Sequence, residues 1–461
     1  MTIKKGQIID VKITDMAFGG KGIARVDGFA VFVDQAVPLD LVSIQITKKK
    51  KNFANGRIVK LIEPSPDRIN PPCEFSGFCG GCKWQFLEYG KQIFYKQQHV
   101  IDSLKHIGFI EDAVVHPTIP SKLLFGYRNK MEFSCSDRRW LLPDEMGLNL
   151  ETGFAIGLHV PGTFYKVLDI RKCLLQPDLG NLILDDVGNF IKSSDLPVYG
   201  LRSHVGFWRF LMLRHSSFYD QWMVNIITAD ENRKKVQPLA DLLIKKYAKI
   251  ASVINNITSK PAGVAIGEYE ICLAGSSHIK DKIGAHDFEI SANSFFQTNT
   301  SGATRLYETV KMFAELIGNE TVIDLYSGTG TIPIYISDSA KEIIGIEINE
   351  SAVKDAQNNC ASNHISNCRF ICGDIIKCLA QITKRPDVMI IDPPRSGMHQ
   401  DVVKQVIDMA PDRIVYVSCN PATLARDIFL MKDIYRVIEV QPVDMFPHTY
   451  HIESVTKLAK R

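Results

Sequence analysis

Near the end of the chain, Ser418-Cys419-Asn420-Pro421-Ala422-Thr423 follows the apolar run Arg413-Ile414-Val415-Tyr416-Val417. Such a run reads as a buried strand, and the strand ends of an open α/β sheet are where its sites collect. A thiol held there, Cys419, can attack an electron-poor ring carbon. Three further thiols, Cys73, Cys79 and Cys82, form a C-x5-C-x2-C group. Glycines at 77, 80 and 81 let the backbone wrap tightly enough for the three to face one point. Tetrahedral zinc and a cubane iron–sulfur cluster each take four ligands, and Cys135 and Cys173 are the candidates for the fourth. The cluster is preferred over zinc, although spacing alone does not settle the metal.

A second constellation suits a nucleoside. Thr321-Val322-Ile323-Asp324-Leu325-Tyr326-Ser327-Gly328-Thr329-Gly330-Thr331 reads as a buried strand, a glycine turn and a helix start. Pro333 stands where a dinucleotide fingerprint would place its third glycine. The next strand ends on Glu347, placed to take both ribose hydroxyls of an adenosine, and the one after ends on Asp374, within reach of an adenine edge. A glycine loop followed by two strand-end acids fits S-adenosylmethionine better than NAD.

These parts together suggest one reaction. Uracil C5 is a poor nucleophile toward a methyl sulfonium until a thiolate adds at C6; a base must afterwards remove the C5 proton so that the thiol can leave. Cys419 supplies the thiolate. Glu453, in His448-Thr449-Tyr450-His451-Ile452-Glu453, is the expected base, because it comes late enough to return over the active edge of the sheet.

The elements that must position these groups fall into three regions. Residues 3 to 62 alternate β-type runs with glycine turns, at 7–11, 18–22, 29–33, 41–46 and 54–59, and so predict a five-stranded barrel. Pro64, Pro66, Pro71 and Pro72 mark a boundary. From about 118 to 285, strand-like runs mix with a few helices. From 303 onward helix and strand alternate, which predicts a doubly wound parallel sheet. The expected fold class is thus α/β: a Rossmann-like domain behind an N-terminal β-barrel and a mixed α+β central domain. Expected domains are 1–63, 64–285 and 286–461, with the helical part near 91–117 a candidate to pack on the last.

With 461 residues, 54 Lys+Arg and 51 Asp+Glu, the composition is that of a globular enzyme. Residues 1 to 70 hold 12 Lys+Arg against 7 Asp+Glu, an excess of five centred on Lys48-Lys49-Lys50-Lys51, which suggests a nucleic-acid partner. The chain has no run of membrane-spanning length and no apolar leader. It is expected to be cytoplasmic, to contact no membrane and to act as a monomer.

The set Asp324-Leu325-Tyr326-Ser327-Gly328, Ile391-Asp392-Pro393-Pro394-Arg395-Ser396-Gly397, Val417-Ser418-Cys419-Asn420-Pro421 and His451-Ile452-Glu453 resembles the RNA uracil-C5 methyltransferase family. Gly126-Tyr127-Arg128-Asn129-Lys130 and Phe295-Phe296-Gln297-Thr298-Asn299 extend the likeness through the middle. The front of the chain resembles the OB-like TRAM barrel that binds RNA. The thiol group resembles the [4Fe-4S] site of the family's rRNA branch.

The resemblance implies Cys419 as nucleophile and Glu453 as proton acceptor, with Gln297, Tyr326, Thr331, Glu347, Asp374 and Asp392 lining the cofactor and target-base pocket. It also implies Cys173 as fourth ligand and a structural Cys135. Thr331 departs from the Asn that many relatives carry. Arg395 stands where a cytosine-C5 enzyme has its second cysteine and a base-amino methyltransferase an aromatic residue. Barrel and cluster together point to 23S rRNA as the partner, with tRNA as the alternative; a non-catalytic RNA-binding scaffold would have no use for Cys419 and Glu453 together.

Overall fold

The computed structural model describes residues 3–461 apart from 262 and 264. The front forms a six-stranded sheet of Ile8–Lys12, Asp15–Met16, Gly22–Val26, Phe29–Asp34, Leu41–Lys49 and Phe53–Glu63. Alternate residues such as Val31, Val33, Val42 and Ile44 turn inward to a shared core. The stretch 18–22, expected as a strand, is instead a turn. Gly19 and Gly20 adopt φ +105° and +87°, which breaks the pleat, and pairing resumes at Gly22. Lys48 and Lys49 close the fifth strand and lead into the exposed hairpin tip at Lys50 and Lys51.

The central region is built on a sheet with strand order Tyr269–Gly275, Ile250–Ile257, Trp222–Thr228, Trp208–His215, Lys130–Ser136 and Ala155–Gly157. Helices Asp178–Ser193 and Arg233–Lys246 pack on it through Ile183, Leu184, Val187, Val236, Leu239 and Leu243. A hairpin, His278–Ile283 with His286–Ser291, spans the expected boundary at 285. Its Ile279, Ile283, Phe288 and Ile290 join an apolar cluster that contains C-terminal residues such as Val322 and Val415 together with Met223 and Ile254 of the central sheet.

In the C-terminal sheet we label β1 Thr321–Leu325, β2 Glu342–Glu347, β3 Cys368–Cys372, β4 Val388–Ile391, β5 Arg413–Ser418, β6 Tyr435–Val443 and β7 Glu453–Lys460. Their order is β3-β2-β1-β4-β5-β7-β6, with Val114–Val115 added beyond β6. β1 to β5 are parallel, and β7 runs antiparallel between β5 and β6. The central strands are apolar runs because helices cover both faces.

Alternation divides their residues between two layers. Val322, Ile343, Ile390, Val415 and Val417 face the helix Thr300–Ala314. Ile323, Ile344, Met389, Ile391 and Tyr416 face the helices Gln400–Met409 and Pro421–Met431. The helix Tyr89–His106, capped by the Glu88 carboxylate on the Gly90 and Lys91 N–H groups, adds Val100 and Leu104 to the second layer. No helix among the described residues is long and apolar enough to cross a membrane.

Candidate active site at the sheet switch point

Strand order reverses between β1 and β4, and a cleft of about 620 Å³ opens at their carboxyl ends. The chain leaves β1 through Tyr326 at φ +63° and reaches Gly330 at φ +75°, which starts the helix Thr331–Ile336. A side chain at Gly330 would lie 2.8 Å from Phe370 and 2.9 Å from Ala356, so this glycine permits close packing beneath the loop. From β2, the Glu347 carboxylate accepts the Gly328 N–H at 3.0 Å and the Asn349 N–H at 2.9 Å.

The pairing of β5 with β7 brings the reacting groups together. Ser418 stands opposite Ser454 in the antiparallel ladder, and the residues one step beyond, Cys419 and Glu453, both line the cleft, with the Glu453 charge acting on the Cys419 thiol. Asn420 fixes the turn by capping the helix Pro421–Met431 at the Ala422 N–H (3.1 Å) and donating to the Arg395 carbonyl (3.1 Å).

The segment before β7 is clamped from outside the sheet. The buried Lys96 ammonium, on the helix Tyr89–His106, donates to Asp444 at 2.6 Å and to the Phe446 carbonyl at 3.0 Å. Gln92 accepts the His448 N–H at 2.8 Å, and the Tyr127 hydroxyl reaches the Pro447 carbonyl at 3.2 Å. Asn129 donates to the Gln297 carbonyl and to the Thr300 hydroxyl, both at 2.8 Å, and so sets the opposite wall.

Electrostatics in the cleft favour uncharged resting groups. Burial, with Glu453 and Asp392 adding to it and Arg395 opposing, pushes the Cys419 thiol up to about 11. Burial holds Glu453 well above the ordinary carboxylate range, with Asp392 contributing and Arg395 opposing. Asp392 is pushed up to about 6 by burial. His451 is driven down to about 4 by burial and then by Arg395, Lys96 and Arg128, so it is neutral.

Of the residues expected from sequence, Gln297, Tyr326, Thr331, Asp392, Cys419 and Glu453 line this one cleft. Glu347 and Asp374 lie outside its lining: Glu347 braces the glycine loop, and Asp374 caps the helix Ile375–Leu379 through the Lys377 N–H at 3.2 Å. Thr331 shares a 2.8 Å hydrogen bond with the buried Tyr307. Sequence reasoning missed Tyr307, which looks like a core residue of its helix. It also gave no role to Asp324, buried in β1 with Oδ1 unpartnered and held well above the carboxylate range by burial, Asp392 and Glu347. A lone acid inside an otherwise apolar strand was the available signal.

Beside the cleft, Cys73, Cys79, Cys82 and Cys173 line one small enclosed cavity with Phe75, Leu158, Ile170 and Leu175. All four are free thiols. Burial first, then their mutual charges, pushes Cys79 up to about 11 and Cys82 up to about 12. Cys135 lies in the central core, and burial alone raises it. Among the described residues no three His, Cys, Asp or Glu stand close enough to share a single metal ion.

The family described as tRNA (Uracil-5-)-methyltransferase matches residues 218–375 and 379–461, and the TRAM domain matches residues 3–59. An uncharacterized RNA methyltransferase of Chlorobaculum tepidum is 41% identical, covering 98% of this chain and 96% of its own. Another, from Bacteroides thetaiotaomicron, is 42% identical over 97% of this chain and 100% of its own. The crystal structure of the Pyrococcus abyssi tRNA (uracil-54, C5)-methyltransferase with S-adenosyl-L-homocysteine superposes with a TM-score of 0.76 and 28% identity, covering 98% of this chain and 100% of that one. With its N-terminal TRAM domain and its doubly wound catalytic sheet, the chain belongs to the S-adenosylmethionine-dependent RNA (uracil-5-)-methyltransferase family.

Proposed function

We propose that the protein methylates C5 of a uridine in 23S rRNA through a covalent bond between Cys419 and C6 of the base. The observation that carries this reading is that Cys419 and Glu453, each next to a member of the Ser418–Ser454 pair of β5 and β7, line one cleft that also holds Asp392 and Arg395. S-adenosylmethionine would be held in the cleft by the β1 loop with Gln297, Tyr326 and Thr331, with Glu347 and Asp374 at the neighbouring strand ends, and would supply an electrophilic methyl group. Cys419 gives its proton to solvent water and its sulfur bonds to C6, which moves the C5–C6 π electron pair to C5. After C5 is methylated, Glu453 accepts the C5 proton, the C5–C6 double bond re-forms and the thiolate departs. A base with a raised pKa is a strong acceptor once ionised, which suits Glu453 to that step. The Arg395 cation opposes the rise in both groups and stabilises the anions that the reaction needs.

The four cavity-lining thiols are read as ligands of a [4Fe-4S] cluster. The four share one cavity lining, and four thiols are the number that a cubane cluster takes. The cluster would act as a cross-link, since the methyl transfer moves no electron. The assigned role in 23S rRNA draws on the barrel and the thiols together. A second reading, a uridine of tRNA, is favoured by the end-to-end likeness to the P. abyssi tRNA enzyme.

Mapping 5-methyluridine in rRNA and tRNA from a strain lacking the gene separates the two substrates. RNA bearing 5-fluorouridine at the mapped position should trap the wild-type enzyme covalently, because fluorine cannot leave as a proton. A trapped adduct with Cys419→Ala would overturn the nucleophile assignment.

A further inference from the structure

Among the features that the reaction leaves unused is a cleft of about 650 Å³ on the central domain, comparable in size with the catalytic one. It lies between residues 136–140, residues 152–153 with 165–166, and residues 201–203. Backbone hydrogen bonds fix its walls, from the Trp140 N–H to the Val167 carbonyl at 2.8 Å and from the Arg139 N–H to the Thr152 carbonyl at 2.9 Å.

Arg138, Arg139, Lys166 and Arg202 line it against one carboxylate, Asp137. Arg139 is paired with Glu145. Among the described residues, Arg138, Lys166 and Arg202 have no carboxylate within ion-pair distance. Two of these cations lie on aromatic rings instead: the Arg202 guanidinium is 3.7 Å from the centre of Tyr165, and the Lys166 ammonium is 3.8 Å from that of Trp140. A guanidinium stacked in this way keeps its N–H edge free for a phosphate. Trp140 and the neighbouring Phe164 are 37% and 68% exposed, which leaves aromatic surface on which a base can stack.

The cleft also adjoins the path into the active site. Gly80, Gly81, Arg128 and Thr298 line both the catalytic cleft and a groove of about 470 Å³ whose far wall is residues 158–163. The Gly80 N–H donates to the His159 carbonyl at 2.9 Å, and the Val160 N–H to the Lys166 carbonyl at 3.0 Å. The Lys166 backbone therefore sits roughly 10 Å from Gly80. One strap, residues 158–166, walls the groove on one side and the basic cleft on the other.

We propose that this cleft is a second RNA subsite, which holds a single-stranded stretch of the RNA whose target uridine enters the catalytic cleft. Arg138, Lys166 and Arg202 take its phosphates, and Trp140 stacks a base. The assignment rests on the reading of the protein as an RNA methyltransferase.

The test is binding of fluorescein-labelled oligouridylate, 20 or 6 nucleotides long, to the full-length protein across a salt series. The triple variant Arg138→Ala/Lys166→Ala/Arg202→Ala should bind the 20-mer about tenfold more weakly and lower its salt slope by about 2, at roughly 0.7 per phosphate contact. Trp140→Ala should weaken the 20-mer about tenfold with the slope unchanged, and Arg202→Lys should keep the slope. The advantage of the 20-mer over the 6-mer should vanish in the triple variant. Unchanged melting and S-adenosyl-L-homocysteine binding would show that the variants fold.

Equal 20-mer affinity and slope in folded wild-type and triple-variant protein would refute the subsite. If the wild type still methylated RNA, the functional reading would survive that failure; a wild type that neither binds nor methylates RNA would overturn both. Tighter binding of oligoglutamate than of the 20-mer, lost in the triple variant, would reassign the cleft to an acidic protein and overturn the RNA assignment.

Discussion

A thiol pushed up to about 11 should react like one that is almost entirely protonated at neutral pH. At pH 8 it is ionised to about one part in a thousand, against roughly a quarter for a free cysteine with a pKa near 8.5. The more basic thiolate is intrinsically more nucleophilic, which recovers roughly tenfold. Cys419 should therefore be alkylated by iodoacetamide roughly 20-fold more slowly than glutathione at pH 8. Its rate should climb about tenfold per pH unit from 7 to 10, because each unit multiplies the thiolate fraction by ten while pH stays below the pKa. Peptide mapping by mass spectrometry resolves Cys419 from the exposed Cys272 and Cys372. The charges around it give the sign of two variants. Glu453→Gln removes a raising group and should speed alkylation, and Arg395→Met removes the lowering one and should slow it. A rate that levels off below pH 9, or an Arg395→Met protein that reacts faster than wild type, would refute this account of the site.

With RNA and S-adenosylmethionine, Glu453→Gln should accumulate a methylated covalent protein–RNA species on denaturing gels, since an amide cannot take the C5 proton; turnover at the wild-type rate would make Glu453 a bystander. Protein purified without oxygen should be brown, lose its iron in Cys173→Ser and keep it in Cys135→Ser, whereas a colourless, zinc-loaded, fully active protein would contradict the cluster assignment. Lys96→Met should strand the buried Asp444 carboxylate and cost about 3–5 kcal/mol, or roughly 10 °C in the melting of a domain of this size. Calorimetry that finds no shift would remove the Lys96–Asp444 clamp from the supports of the β7 approach.

Much of this was legible in the sequence because the responsible signals are local. The apolar runs of β1, β2, β4 and β5 and the turn residues after them give parallel strands with loops at one edge, so Cys419 and Asp392 fall at the same end. Three things are not local. The short strand Asp15–Met16 is held by pairing with Gly22 and Ile23, and no two-residue run announces itself. Which of Cys135 and Cys173 stands beside the other three thiols is set by tertiary packing, which leaves Cys135 in the central core and brings Cys173 to the shared cavity. The inward face of the hairpin at 278–291 packs into a cluster shared by the central sheet and the C-terminal domain, a contact set by tertiary packing.

The same distinction explains why the site is assembled as it is. A parallel strand in the place of β7 would carry its own end to the active edge in the same direction as β5, and its first residues would lie at the far end of the sheet. Because β7 is reversed, its first residue is the one beside Cys419. The approach to that residue, 444 to 452, must then cross the mouth of the cleft, where Lys96, Gln92 and Tyr127 hold it. That crossing puts Phe446, Thr449 and His451 into the lining beside the buried Glu453. Burial is what raises Glu453, Asp392 and Cys419 together. Cys419 and Glu453 are thus held toward their protonated forms beside an Asp392 that ionises at about 6, and positive charge near them favours ionisation of the nucleophile and of the base at once. Reversal of one strand therefore sets both the geometry of the pair and the low-dielectric surroundings in which a thiolate and a carboxylate become strong enough to do the chemistry.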